Sequence, residues 1–171
     1  AGTGDGAADG TNTFKGVATA GTVAAVDAGP STIYESELQG IASATNISVA
    51  ASNSITFNAF SDGVLSLAQT AGRTATFTAG TGNITMANLS DTIQTAGGAL
   101  NFTSTSGGVT LGNLSTSGGA ITVNVGNTST ISGTIAGTGT AFTKSGTGSL
   151  LLSGNNTYTG ATNLSAGSVI I

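Results

Sequence analysis

The chain has no cysteine, no histidine and no tryptophan, a single proline (Pro30), and only three cations among its 171 residues: Lys15, Arg73 and Lys144. Without cysteine, neither a disulfide nor a thiolate metal site can hold the fold. Without histidine, a nucleophilic triad lacks its usual base. A formal net charge of -4 with three scattered cations leaves almost nothing to neutralise a phosphate backbone, so nucleic acid is not an expected partner. Charged residues make up 6%, against about 25% in an ordinary globular protein. No apolar run approaches the ~18 residues of a membrane helix, so this segment is not expected to insert in a membrane. The opening Ala1-Gly-Thr-Gly-Asp5 has neither the basic nor the apolar region of a signal peptide, as expected for a mature segment or a piece of a longer chain.

What is abundant is glycine, with 28 residues, together with Ser, Thr and Asn. Such a composition resembles disorder, but disorder also needs low hydrophobicity and high net charge, and this chain is 38% hydrophobic. From Ile41 onward apolar residues recur two apart: Ile47/Val49, Ile55/Phe57, Leu65/Leu67, Ala75/Phe77, Ile84/Met86, Leu100/Phe102, Val109/Leu111 and Ile121/Val123. Each pair marks the inner face of one short strand. Two units also repeat in sequence. Ile84-Thr-Met-Ala-Asn-Leu-Ser90 answers to Val109-Thr-Leu-Gly-Asn-Leu-Ser115, and Gly97-Gly-Ala-Leu-Asn-Phe102 to Gly118-Gly-Ala-Ile-Thr-Val123. These offsets of 25 and 21 residues are the size of one coil of a β-solenoid. The sequence therefore predicts an all-β solenoid with coils of roughly 20–25 residues, about seven in all, making a rod of about 35 Å.

The last thirty residues show the design most clearly. Leu150 and Leu152, Thr162 and Leu164, and Val169 and Ile171 are spaced for strands, and Gly146, Gly148, Gly154, Gly160 and Gly167 punctuate them as turns. The run from Lys144 through Asn156, Tyr158 and Gly167 to Val169 resembles the passenger-associated transport repeat of bacterial autotransporters. The resemblance is carried by Lys144, Gly146, Gly148, Leu150, Leu152, Gly154, Asn156, Tyr158, Gly160, Thr162, Leu164, Gly167 and Val169; it departs at Ala161, where a second glycine is usual. It implies a right-handed parallel β-helix exported to the surface of a Gram-negative bacterium, and no catalytic residue. The stretch from Thr45 to Phe57, with the Ser/Thr-Gly-Gly corners, is more loosely similar to the repeats of filamentous-haemagglutinin-like adhesins. The expected divisions are a Gly/Ala-rich segment over 1–30, irregular or forming first coils, a short connector helix in 31–40, solenoid coils over 41–141, and the transport-repeat coil over 142–171.

Candidate sites are few. Asp5, Asp9, Asn12 and Asp27 lie in Asp-Gly-rich turns whose oxygens suit calcium, but the closing Glu of an EF-hand loop is missing, and solvated turns are the preferred reading. Thr32 and Glu35 have capping-box spacing, which places the one short helix over 32–39 with Gly40 ending it. Glu35 and Glu37 are the only close carboxylate pair beyond the first loop. On a helix they point about 200° apart, so an exposed helix start is preferred to a hydrolase site. Asp62 and Arg73 read as a solvated surface pair. A polysaccharide-degrading β-helix would need carboxylates and a strong base on one groove, and the chain is read as non-enzymatic and without a cofactor.

Two surface readings remain. Asn46, Asn53, Asn83, Asn88, Asn113, Asn156 and Asn163 recur near corners, where amides of successive coils would bond one another in a ladder. Asn46, Asn83, Asn88, Asn101, Asn113, Asn127, Asn155 and Asn163 also stand in Asn-x-Ser/Thr, the acceptor pattern for glycosylation, a pattern that chance produces readily in a Ser/Thr-rich chain. Thr74-Ala-Thr76-Phe-Thr78, Thr103-Ser-Thr105, Thr128-Ser-Thr130 and Thr157-Tyr-Thr159 place threonines on one face, as in a flat carbohydrate- or ice-binding solenoid. The expected function is structural: a rod segment in a secreted surface protein, an adhesin shaft or a filament subunit. No capping element is visible at Ile171, so the expected partners are further coils, of the same long chain or of a neighbour, and a host or matrix surface.

Overall fold

The computed structural model describes residues 35–171 together with the backbone of Thr22–Val23. The calcium candidates Asp5, Asp9, Asn12 and Asp27, the capping residue Thr32 and almost all of segment 1–30 lie outside the described residues. Among the described residues the chain forms a parallel β-solenoid of about five turns with one short helix. After β1 (Thr22–Val23) and α1 (Glu35–Gln39), each coil has three sides. The first coil runs through β2 (Ile47–Ala51), β3 (Ile55–Phe57) and β4 (Val64–Thr70), and the second through β5 (Thr74–Ala79), β6 (Ile84–Met86) and β7 (Thr92–Ala96). The third takes β8 (Ala99–Ser104), β9 (Val109–Leu111) and β10 (Asn113–Thr116), and the fourth β11 (Ile121–Val125), β12 (Ser129–Ile131) and β13 (Ile135–Ala136). The fifth has β14 (Phe142–Ser145) and β15 (Ser149–Leu152) with an irregular third side, and β16 (Thr162–Leu164) and β17 (Ser168–Ile170) open the next. These strands stack into faces of seven, six and four strands, all joined by parallel ladders.

Why these residues coil follows from their alternation. Ile47, Ala75, Leu100, Ile121 and Phe142 stand in register on the seven-stranded face, and all are fully buried. Two residues on, Val49, Phe77, Phe102, Val123 and Lys144 form a second inward column. The Phe77 ring stacks on Phe102 at 5.6 Å and meets Phe57 edge-on at 5.0 Å. Each fully buried apolar side chain contributes about 1.5–3 kcal/mol, so the columns are the main cohesive element.

Coil length departs from expectation at the amino-terminal end. Ile47 faces Ala75, an advance of 28 residues, and Ile55 faces Ile84, an advance of 29; later coils advance by 25, then by about 21. Longer early coils are one reason for about five turns instead of seven. The two sequence repeats fare differently. The 21-residue offset is the true coil register, with Leu100 facing Ile121 and Phe102 facing Val123. The 25-residue offset holds where Ile84 faces Val109, but Leu114 faces Ile93 and not Leu89. Four extra residues are looped out near 87–90, which leaves Leu89 exposed while Leu114 is buried.

Polar groups close the corners. Thr95 and Thr116, in register and buried, donate to the carbonyls of Gly98 and Gly119, and the Thr116 and Thr140 hydroxyls lie 2.7 Å apart. The expected Asn-on-Asn ladder is not what forms. Asn46 accepts from the Thr74 amide at 3.0 Å, Asn83 from Gly108 at 2.9 Å and Asn113 from Thr134 at 2.8 Å. Each asparagine thus supplies an acceptor to the backbone of the next coil, where a corner has interrupted the regular ladder.

At the amino-terminal end α1 packs on β4, the edge strand of the four-stranded face. Glu37 and Leu38 are buried there, so the expectation of a solvated Glu37 is corrected: a five-residue helix laid on an edge strand turns one side inward. The Asp62–Arg73 pair also fails. Asp62 accepts from the Val64 amide of its own turn at 2.9 Å, while Arg73 is exposed at the corner beyond β4. Seven residues of strand hold them roughly 23 Å apart.

Candidate functional site at the terminal coil

The thirty residues that carried the family resemblance form the fifth coil and the start of the next. In β14 the side chains of Phe142 and Lys144 point inward and are fully buried. The lysine stem continues the Val49-to-Val123 column. Its ammonium donates to the carbonyls of Ser145 at 2.6 Å, Gly146 at 2.9 Å and Ala166 at 3.4 Å. Burial lowers its pKa from the ordinary 10.5, because removing an ammonium from water disfavours the charged form. Gly146 and Gly167 flank this seat with φ of 75° and 74°, a left-handed conformation that other residues adopt only with strain. A side chain at Gly167 would come within 3.0 Å of the ammonium.

The remaining motif residues join coils. Gly148 donates its amide to Val125 at 2.9 Å. Leu150 and Leu152 are buried over Ser129 and Ile131. Gly154 passes directly over the backbone of Gly133, leaving no room for a side chain. On the irregular third side, Asn156 accepts from the Ile135 amide at 2.8 Å while the Thr157 amide donates to the Ile135 carbonyl at 2.9 Å. With the Tyr158 amide also donating to the Ile135 carbonyl at 3.2 Å, three bonds to one residue replace the strand that this side lacks. The Tyr158 ring lies 6.0 Å from Phe142, and its hydroxyl is 2.7 Å from that of Thr162. Gly160 donates to Thr140 at 2.9 Å.

The final strands are laid on without being covered. Thr162 faces Phe142, Leu164 faces Lys144 and Val169 faces Leu150. Leu164 occupies the inward column yet is 54% exposed, and Ile170 on the outer side is 55% exposed. One edge of β16 and one of β17 have no partner strand among the described residues.

Residues 142–171 match the family model of the passenger-associated-transport-repeat. That repeat is found in autotransporter passenger domains. The match spans 30 of the 171 residues. No curated protein and no solved structure matches the chain.

The other sequence candidates are dispersed. Glu35 accepts from Gln39 at 2.6 Å and from the Ser61 amide at 3.0 Å, beside a depression of about 370 Å³ lined by Glu35, Ser36, Gln39, Ser61 and Asp62. Among the described residues no three acidic side chains converge as a metal site would require. Sequence reasoning missed Asp91, which is buried and accepts from the Phe60 amide at 2.8 Å and from Asn88 at 2.6 Å, clasping corners of the first two coils. No local pattern distinguishes it from an exposed turn aspartate. The four threonine motifs do not stack: Thr78 faces Thr103, but Thr130 lies on the six-stranded face and Thr157 and Thr159 on the irregular side. Among the described residues no helix is long and apolar enough to cross a membrane.

Proposed function

We propose that the chain is a structural segment of a secreted bacterial surface protein, serving as the β-helical shaft of an adhesin or as a subunit of an extracellular filament. The observation that carries this reading is the unbroken run of inward columns from β2 to β14, ending in the matched transport repeat. Such a run makes length and stiffness out of parallel ladders, with each coil resting on its neighbours. The partner that fits the uncovered strands β16 and β17 is a further solenoid coil, from the same chain or a neighbouring one. The matched transport repeat at the end of a parallel solenoid supports a structural role. Protease treatment of intact producing cells is expected to remove this segment; full protection would overturn the surface placement. The intact protein is expected to have a mass far above 16.2 kDa if it is a shaft, or equal to it if it is a filament subunit. Circular dichroism showing mainly helix or coil would sink both forms.

A second reading rests on the outer side of the seven-stranded face. Ser48, Thr76, Asn101, Thr122, Thr143 and Asn163 stand in register there. Beside them run Ala50, Thr78, Thr103, Asn124 and Ser145. Apart from Ala50 these are small polar, uncharged groups about 4.8 Å apart along the axis, an array suited to an ordered carbohydrate surface or to ice. Retention of the protein on insoluble polysaccharide, or an effect on ice growth, lost in Thr76→Lys with Thr122→Lys, would support it. Absence of both effects would remove it.

A further inference from the structure

We propose that the carbonyls of Ser145, Gly146 and Ala166 form a cation seat, and that Lys144 is its tethered occupant, holding the terminal coil on the coil beneath it. Three observations converge on this. Lys144 stands at an inward position whose counterparts in the same column are Val49, Phe77, Phe102 and Val123, so nothing in the packing of the column calls for a charge. All three of its hydrogen bonds go to backbone carbonyls, which satisfies the three donors of an ammonium without any carboxylate. The carbonyls come from two different turns: Ser145 and Gly146 follow β14, whereas Ala166 lies between β16 and β17. The neighbouring Ser165 amide donates to the Lys144 carbonyl at 2.8 Å, so main chain and side chain of one residue grip the same corner.

The chemistry of the seat is that of a site for a small hydrogen-bonding cation. Carbonyl oxygens converging on one point repel one another unless positive charge lies between them. Gly167 keeps that point clear, since a side chain there would crowd the ammonium. An alkylammonium ion of the right length should therefore occupy the seat when the lysine is removed, and the site is specific for a cation that carries N–H donors.

The test is chemical rescue in the full chain, followed by hydrogen exchange at the Ser165 amide. Lys144→Met keeps an apolar stem but removes the donors; Lys144→Ala vacates the stem as well. Both variants should exchange this amide roughly ten- to a hundredfold faster than the unmodified protein, given the strength of charge-assisted hydrogen bonds, with β8 and β11 unchanged. n-Propylammonium chloride should restore protection in Lys144→Ala, and tetramethylammonium chloride, which has the charge without the donors, should not. Normal protection in Lys144→Met overturns the proposal, because the stem alone would then suffice. Equal effects of the two salts on Lys144→Ala also overturn it. If Lys144→Ala does not fold, the methionine variant decides alone.

Discussion

Truncating Phe77 to alanine tests the central physical claim, that stability resides in columns shared between neighbouring coils. Phe77 is fully buried on β5, stacked on Phe102 at 5.6 Å and edge-on to Phe57 at 5.0 Å, so its removal weakens contacts with both the coil before and the coil after. Deleting a buried phenylalanine ring typically costs about 3–5 kcal/mol, and the stiff parallel ladders on either side leave little room for collapse into the cavity, which places the expected loss in the upper half of that range. A solenoid behaves as a chain of units coupled to their nearest neighbours, so the loss should be local. Amides of β2, β5 and β8 should lose protection in hydrogen exchange, while those of β12 and β15 keep theirs. Urea unfolding should show a shifted midpoint for the amino-terminal coils alone, with Phe77→Leu showing a smaller shift. A loss under about 1 kcal/mol would refute the reasoning about packing. Equal loss of protection in every coil would refute the reasoning about nearest-neighbour coupling.

Two further outcomes are expected. Asn83→Ala leaves the buried Gly108 amide without its acceptor and should cost about 1–3 kcal/mol by thermal unfolding, whereas Asn155→Ala, exposed on the irregular side, should stay within about 0.5 kcal/mol. Gly167→Ala forces a side chain into a left-handed position against the Gly148 carbonyl and should destabilise the terminal coil by about 1–3 kcal/mol, seen as earlier proteolytic cleavage after residue 160.

The apolar members of the fold were legible from alternation alone. Ile47/Val49, Leu100/Phe102 and Ile121/Val123 are inward pairs on strands, as their spacing implies. The sides whose inner faces mix apolar and polar residues were not. β7 turns Ile93 and Thr95 inward and β10 turns Leu114 and Thr116 inward, and the two threonines satisfy themselves on corner carbonyls that only the coiled chain creates. Lys144 eluded local reasoning for the same reason. A lysine on a strand looks solvent-facing until the Ala166 carbonyl, 22 positions away, joins those of Ser145 and Gly146 to receive it. The exact coil register near residue 89 was equally hidden, because the repeated Asn-Leu-Ser matches in sequence where the backbone does not.

The looped-out residues near 87–90 carry a consequence for how such a chain can change. The six-stranded face advances by 25 residues between Ile84 and Val109, and the four-stranded face by 21 between Ile93 and Leu114, yet both ladders remain parallel. Surplus length has been absorbed at a corner without altering the phase of the interior. Corners of this kind are permissive ports: an epitope or a short binding peptide spliced beside Leu89 would ride outside the shaft, disturbing the corner bonds of Asn88 to Asp91 and of Asn113 to Ser90 while the columns beneath keep their phase.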